Sequence, residues 1–129
     1  MNERYVIDAY AWIEYLIGSR AGEKVKVVLE GENSEVFTCA VTLAEVISKT
    51  AREGREVEVA YDILLSNSQV VSADEEVSKE AGVLHSEMRR AVRDFGLADA
   101  YALTVPRRTK SKILTGDVHF KGVKEAILI

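Results

Sequence analysis

The chain has 129 residues, 47% of them hydrophobic, and a formal net charge of −4. That length and apolar content suit one compact domain over residues 1–129 with a sizeable core, and the negative balance argues against a nonspecific nucleic-acid coat protein. No stretch approaches the roughly 20 apolar residues of a membrane span, and Asp8 and Glu14 break the N-terminal apolar run, so a secretory core is not expected.

Arg4–Ile7 (R-Y-V-I) reads as a short apolar strand with Asp8 directly behind it. Trp12, Ile13, Leu16 and Ile17 then recur at helical spacing, which predicts a helix over Ala9–Ile17 ended by Gly18 and Ser19. A second helix is expected over Ala21–Glu30, with Val25, Val28 and Leu29 in one stripe and Gly31 as its C′ stop. Glu35–Val41 is a continuous apolar run of strand length, the pattern of a strand buried on both faces. The only cysteine, Cys39, lies inside it; it has no internal disulfide partner and reads as a small core residue, which points to a cytoplasmic protein. Helices follow over Thr42–Glu53, with Leu43, Val46 and Ile47 inward, and from about Glu56 to Leu65, then a short strand, Gln69–Ser72. Asp74–Arg93 carries one long helical stripe (Val77, Ala81, Leu84, Met88, Val92). Leu97–Val105 is expected to be a helix opened by Gly96 and ended by Pro106. Lys112–Thr115 and Ala126–Ile129 read as the last two strands.

Short apolar strands alternating with helices predict an α/β fold, a mostly parallel sheet covered on both faces. Right-handed crossovers place every junction from a strand to its following loop at the carboxyl edge of that sheet, where ligands of such folds bind. Four acids fall at such places: Asp8 after the first strand, Glu45 early in the helix after the second, Asp99 in the first turn of the Leu97 helix, and Asp117 just past Thr115. Each has a purely structural alternative. Asp8 can cap a helix, Thr42-Leu43-Ala44-Glu45 matches a capping box, Asp99 can answer a helix dipole, and Asp117 can form a turn. Taken together they need more, because clustered carboxylates raise one another's pKa unless a cation lies between them. A hard divalent ion, Mg²⁺ or Mn²⁺, suits an all-oxygen ligand set. The charge is also uneven: residues 1–87 sum to −9 and residues 88–129 to +5. A basic C-terminal third suggests an anionic partner, with Arg107, Arg108, Lys110 and Lys112 as one candidate backbone-binding rail and Arg89, Arg90 and Arg93 as a second patch, which could equally pair with acids of a partner protein.

The segments V-I-D-A-Y-A-W-I-E-Y-L (6–16), V-T-L-A-E-V (41–46), G-L-A-D-A-Y-A-L (96–103) and I-L-T-G-D-V-H-F (113–120) resemble the four acidic motifs of the PIN-domain nucleases, and in particular the toxin subunits of VapBC-type toxin–antitoxin pairs. The resemblance covers Tyr5 to Phe120 with order and approximate spacing kept. It implies a three-layer α/β/α sandwich around a five-stranded, mostly parallel sheet. It also implies Mg²⁺- or Mn²⁺-dependent cleavage of RNA to a 5′-phosphate and a 3′-hydroxyl, by a homodimer restrained by a small antitoxin. Asp8, Glu45, Asp99 and Asp117 then form an acidic quartet that holds the metal, with Glu45 given a second role as proton acceptor and Thr115 orienting water or metal. His119, beside Asp117, is a candidate substrate contact, whereas His85 reads as a partly exposed structural residue. The rival readings are a catalytically silent PIN-fold binding module and an RNA maturation or decay nuclease that is not a toxin. A haloacid dehalogenase-type phosphatase is disfavoured because Tyr10 stands where its second aspartate is needed, and a receiver domain because it lacks the acidic pair after the first strand.

Overall fold

Val6 and Ile7 point to opposite sides of one strand, and both are completely buried. A strand covered on both faces must lie inside a sheet with helices above and below. The computed structural model describes residues 3–129, and in it this strand (β1, Glu3–Ile7) is central. Met1 and Asn2, the start of the segment expected to lack a secretory core, lie outside the described residues. β1 is flanked by β2 (Ser34–Cys39) and β4 (Lys112–Thr115), with β3 (Gln69–Val71) and β5 (Ala126–Leu128) outermost. The order is β3-β2-β1-β4-β5 and every pair is parallel. The direction of strand addition reverses between β1 and β4, which makes their carboxyl ends the switch point where open α/β sheets bind ligands.

Two cores follow from the alternation. Val6, Phe37 and Ile113 pack with Ala81, Leu84, Phe95 and Leu103 on one face. These come from α5 (Glu75–Met88), α6 (Leu97–Thr109) and the segment between them. Ile7 and Leu114 pack with Trp12, Val25, Val46 and Leu64 on the other, from α1 (Ala9–Ile17), α2 (Arg20–Leu29), α3 (Ala40–Arg52) and α4 (Val57–Asn67). The indole N–H of Trp12 donates to Thr38 Oγ1 at 3.1 Å, so the largest core side chain leaves no orphaned donor. No helix is long and apolar enough to cross a membrane among the described residues.

Three expectations are corrected. β2 ends at Cys39 and α3 begins at Ala40, two residues before the expected start. The run V-F-T-C-A-V is apolar throughout, and periodicity alone does not mark where a buried strand becomes a buried helix. Thr42 therefore lies inside α3, buried, with no hydrogen-bond partner on its hydroxyl, and the capping box is absent. α5 stops at Met88 rather than Arg93. The N–H groups of Ala91 and Phe95 reach back only three residues, to Met88 and Val92, because Phe95 leaves the helix to sit fully buried against Phe120 with ring centroids 5.7 Å apart. α2 ends as expected, with Gly31 at C′ directly after the right-handed Glu30 cap. Finally, Pro106 lies within α6, which runs on to Thr109. An interior proline costs about 3 kcal/mol, offset here by its own burial and that of Ala102, Leu103, Thr104 and Val105, while the N–H groups of Lys110 and Ser111 both close on the Pro106 carbonyl.

Candidate active site

β1 delivers Asp8 to the switch point. Its N–H still donates to the Leu114 carbonyl of β4 at 3.2 Å, and its Oδ1 accepts from the Ala11 N–H at 2.8 Å, capping α1. The structural role foreseen for Asp8 is thus real, but a cap is normally solvated and this carboxyl is only 5% exposed. The buried Thr115 hydroxyl donates to the Asp8 carboxylate and accepts from the Asp117 N–H at 3.0 Å, so one threonine ties the two acids together. Asp117 in turn caps the single 3₁₀ turn Val118–Phe120, accepting from the His119 N–H at 2.9 Å. Asp99 occupies the first turn of α6, where its Oδ2 accepts from the Gly96 N–H at 3.0 Å. Glu45 lies in the second turn of α3 rather than the first, because the helix starts early. It has no capping duty.

The four acids sense one another. The Asp8 carboxyl is pushed up to about 7, chiefly by burial, with the charges of Asp117 and Asp99 adding to the rise and the hydrogen bonds from Thr115 and Ala11 opposing it. Glu45 is raised by desolvation and then by Asp99 and Asp117, although much of its surface is open. Asp99 is raised by desolvation, with Asp117 adding to it and the Gly96 N–H and His119 opposing. Among the described residues no Lys or Arg forms an ion pair with any of the four; the one cationic candidate is His119, whose Nδ1 lies 3.2 Å from Asp117 Oδ1 and 3.5 Å from Asp99 Oδ2. Asp99, Asp117 and His119 each offer a ligand atom within 4.8 Å of the others. Asp8 and Glu45 stand outside that tight group, coupled to it by charge. Carboxylates that repel one another in this way, with Asp8, Glu45 and Asp99 raised, suit a divalent cation.

A groove of about 560 Å³ opens beside Glu45 along α3, lined among others by Tyr10, Ser48, Lys49 and Arg52. The Tyr10 ring, 46% exposed, forms its wall and lies against Gly116, where an added Cβ would come within 2.1 Å of the ring; Gly116 is needed for that close approach, not for an unusual backbone angle. Lys49 and Arg52 do not stand out in the sequence. Their signal is the spacing Glu45, Lys49, Arg52, four and three residues apart on one face of a helix.

The basic rail lies away from the acids. α6 starts at the acids and ends where β4 begins, so its thirteen residues carry the chain about 20 Å to the opposite edge of the sheet. Arg4 at the start of β1 hydrogen-bonds the Thr109 carbonyl there. Arg107 pairs with Glu125 at 3.1 Å and Arg108 with Glu80 at 2.9 Å, while Lys110 and Lys112 line a separate hollow with Glu3 and Glu35. None of Arg107, Arg108, Lys110 and Lys112 stands beside the acids. Arg89, Arg90 and Arg93, exposed in the segment just before α6, lie on the side of its acidic N-terminus.

Residues 5–126 match the family model described as the PIN domain. No curated protein matches the chain in sequence. Among solved structures, the chain superposes on VapC20 of Mycobacterium tuberculosis, described as a sarcin-ricin loop cleaving toxin, with a TM-score of 0.74 at 18% identity, covering 93% of this chain and 95% of that one. It is similar also to VapBC2 from Rickettsia felis, described as bound to a DNA fragment from its promoter (TM-score 0.73, 15% identity, 98% and 97% covered), and to VapBC-1 from nontypeable Haemophilus influenzae (0.70, 19%, 98% and 96%).

Proposed function

The chain belongs to the PIN-domain family, and from that premise we propose that it is a Mg²⁺- or Mn²⁺-dependent endoribonuclease, the toxin of a type II toxin–antitoxin pair. The observation that carries the reading is the gathering of Asp8, Glu45, Asp99 and Asp117 at the switch point, mutually destabilising and unpaired by any Lys or Arg among the described residues. A silent module has no use for such a cluster. The neighbours named as toxins or toxin–antitoxin complexes support the RNA substrate and the small antitoxin partner, and the same reading takes the active form to be a homodimer.

In this mechanism Asp99 and Asp117 would hold the cation, with Asp8 and Glu45 coupled to them by charge. When bound, such an ion polarises a phosphoryl oxygen and lowers the pKa of a water molecule. Thr115 is a positioning residue: its hydroxyl fixes Asp8 relative to the turn that carries Asp117. Glu45, open to the groove and with its proton affinity raised, is suited to take the proton of the attacking water. Lys49 and Arg52 meet the phosphates on either side of the scissile bond, and Tyr10 offers a ring face to a base.

Incubation with single-stranded RNA and Mn²⁺ should give 5′-phosphate and 3′-hydroxyl ends, and excess chelator should stop the reaction. Cleavage that persists in chelator overturns the metal-dependent reading. The groove has its own test. Lys49→Glu with Arg52→Glu should weaken RNA binding by about 10-fold or more at low salt. It should also flatten the salt dependence, whose slope falls by roughly 0.7 for each phosphate of a single strand that no longer meets a cationic side chain. Lys110→Glu with Lys112→Glu, at the far edge, should leave binding near wild type; the reverse pattern in fluorescence anisotropy would move the RNA path to that edge.

A further inference from the structure

We propose that His119 is a nitrogen ligand of the bound cation, so that the centre is an Asp99–Asp117–His119 site that favours Mn²⁺ over Mg²⁺. The inference deepens the reading above and rests on it, since it names the ion that the same site prefers. Three observations carry it. His119 Nδ1 is sealed from solvent and has no hydrogen-bond partner in satisfactory geometry, an arrangement that costs free energy unless the atom has another use. It nevertheless points between the two acids, 3.2 Å from Asp117 Oδ1 and 3.5 Å from Asp99 Oδ2, close to the roughly 3 Å that neighbouring ligands of an octahedral ion at about 2.1 Å keep from each other. The backbone that carries the ring is also held in place: the backbone N–H of His119 donates to Asp117 Oδ1 at 2.9 Å, and the next residue, Phe120, is buried against Phe95.

The donor chemistry then sets the preference. Mg²⁺ takes oxygen ligands and keeps its waters, whereas imidazole adds affinity for first-row transition ions, with Mn²⁺ the mildest of them. The opposing view makes His119 a fixed cation that neutralises Asp99 and Asp117. The two views differ in sign, because a neutralising cation competes with the metal and a ligand recruits it.

Pulsed electron paramagnetic resonance on the full chain loaded with Mn²⁺ should show coupling to a nitrogen nucleus, absent from His119→Ala. Calorimetry should show that His119→Ala loses about 10- to 100-fold in Mn²⁺ affinity, the range typical of residues that support a metal, and loses less for Mg²⁺. Should His119→Ala fold poorly, His119→Asp supplies an oxygen donor instead: it should bind both ions, show no nitrogen coupling and have a lower ratio of Mn²⁺ to Mg²⁺ affinity than wild type. Mn²⁺ bound without nitrogen coupling, or bound more tightly by His119→Ala, overturns the inference and leaves the metal-dependent reading intact. A wild-type chain that binds no Mn²⁺ overturns both.

Discussion

Asp8→Asn should make the metal-free protein more stable at pH 8, by roughly 2–4 kcal/mol, while abolishing RNA cleavage. The Asp8 carboxyl is 5% exposed and its pKa rises from 3.8 to about 7 on folding, a difference corresponding to about 4 kcal/mol against the ionised form. The sign follows from proton counting. Between these two values the folded chain holds a proton that the unfolded chain has released, so stability is fully present below about pH 4, is lost as the pH rises through about 7, and is level above that. Glu45 and Asp99 are raised as well and bend the curve the same way. The asparagine keeps an oxygen for the Ala11 N–H and removes the charge; against this, the Thr115 hydroxyl loses an anionic acceptor, which takes back about 1 kcal/mol. Thermal melts of wild type and Asp8→Asn in chelator should separate by roughly 7–15 °C at pH 8 and coincide at pH 4. Saturating Mn²⁺ should reverse the order, because an ion bound only by the folded wild type stabilises it. A variant less stable than wild type at pH 8 in chelator would show that Asp8 is a structural cap whose charge is comfortable.

Asp99→Asn is expected to lower RNA cleavage by at least about 10²–10³-fold, the scale of losing one charge-stabilising group from a reaction centre, with the fold unchanged. The amide oxygen can still accept from the Gly96 N–H, which Asp99 now meets at 3.0 Å, so α6 keeps its start. What is lost is half of the carboxylate pair facing His119. Circular dichroism and the melt should match wild type, or show slightly higher stability, since the native carboxyl is itself raised. A variant that cleaves normally would remove Asp99 from the centre and leave it a helix cap.

The strands, their order along the chain and the four acids are legible in the sequence because each rests on local chemistry. Asp8 follows an apolar run too short to be anything but a strand, and Ala9–Ile17 carries its own spacing and a glycine stop, which Gly18 makes in the left-handed region. The start of α3 is not legible, since Cys39, Ala40 and Val41 suit a buried strand and a buried helix equally. That two-residue shift matters for the candidate site, because it removes the capping alternative for Glu45, which lines the same groove as Lys49 and Arg52. The separation of the basic residues 107–112 from the acids is not legible for a different reason. They lie close to Asp99 and Asp117 in sequence, but α6 and β4 are antiparallel rods that carry the chain away from the acidic edge and back. Phe95 ends α5 early through tertiary burial, which a helical stripe does not reveal.

In the proposed function the acids at the ends of β1 and β4 form a divalent-cation centre, and titration calorimetry with Mn²⁺ tests this most directly. Wild type should bind Mn²⁺ and release protons as it does so, because the Asp8 carboxyl, raised to about 7 by burial, gives up its proton when a cation binds beside it. Asp99→Asn should bind at least about 10-fold more weakly. Equal heats from wild type and Asp99→Asn, or none from either, would contradict the proposed centre.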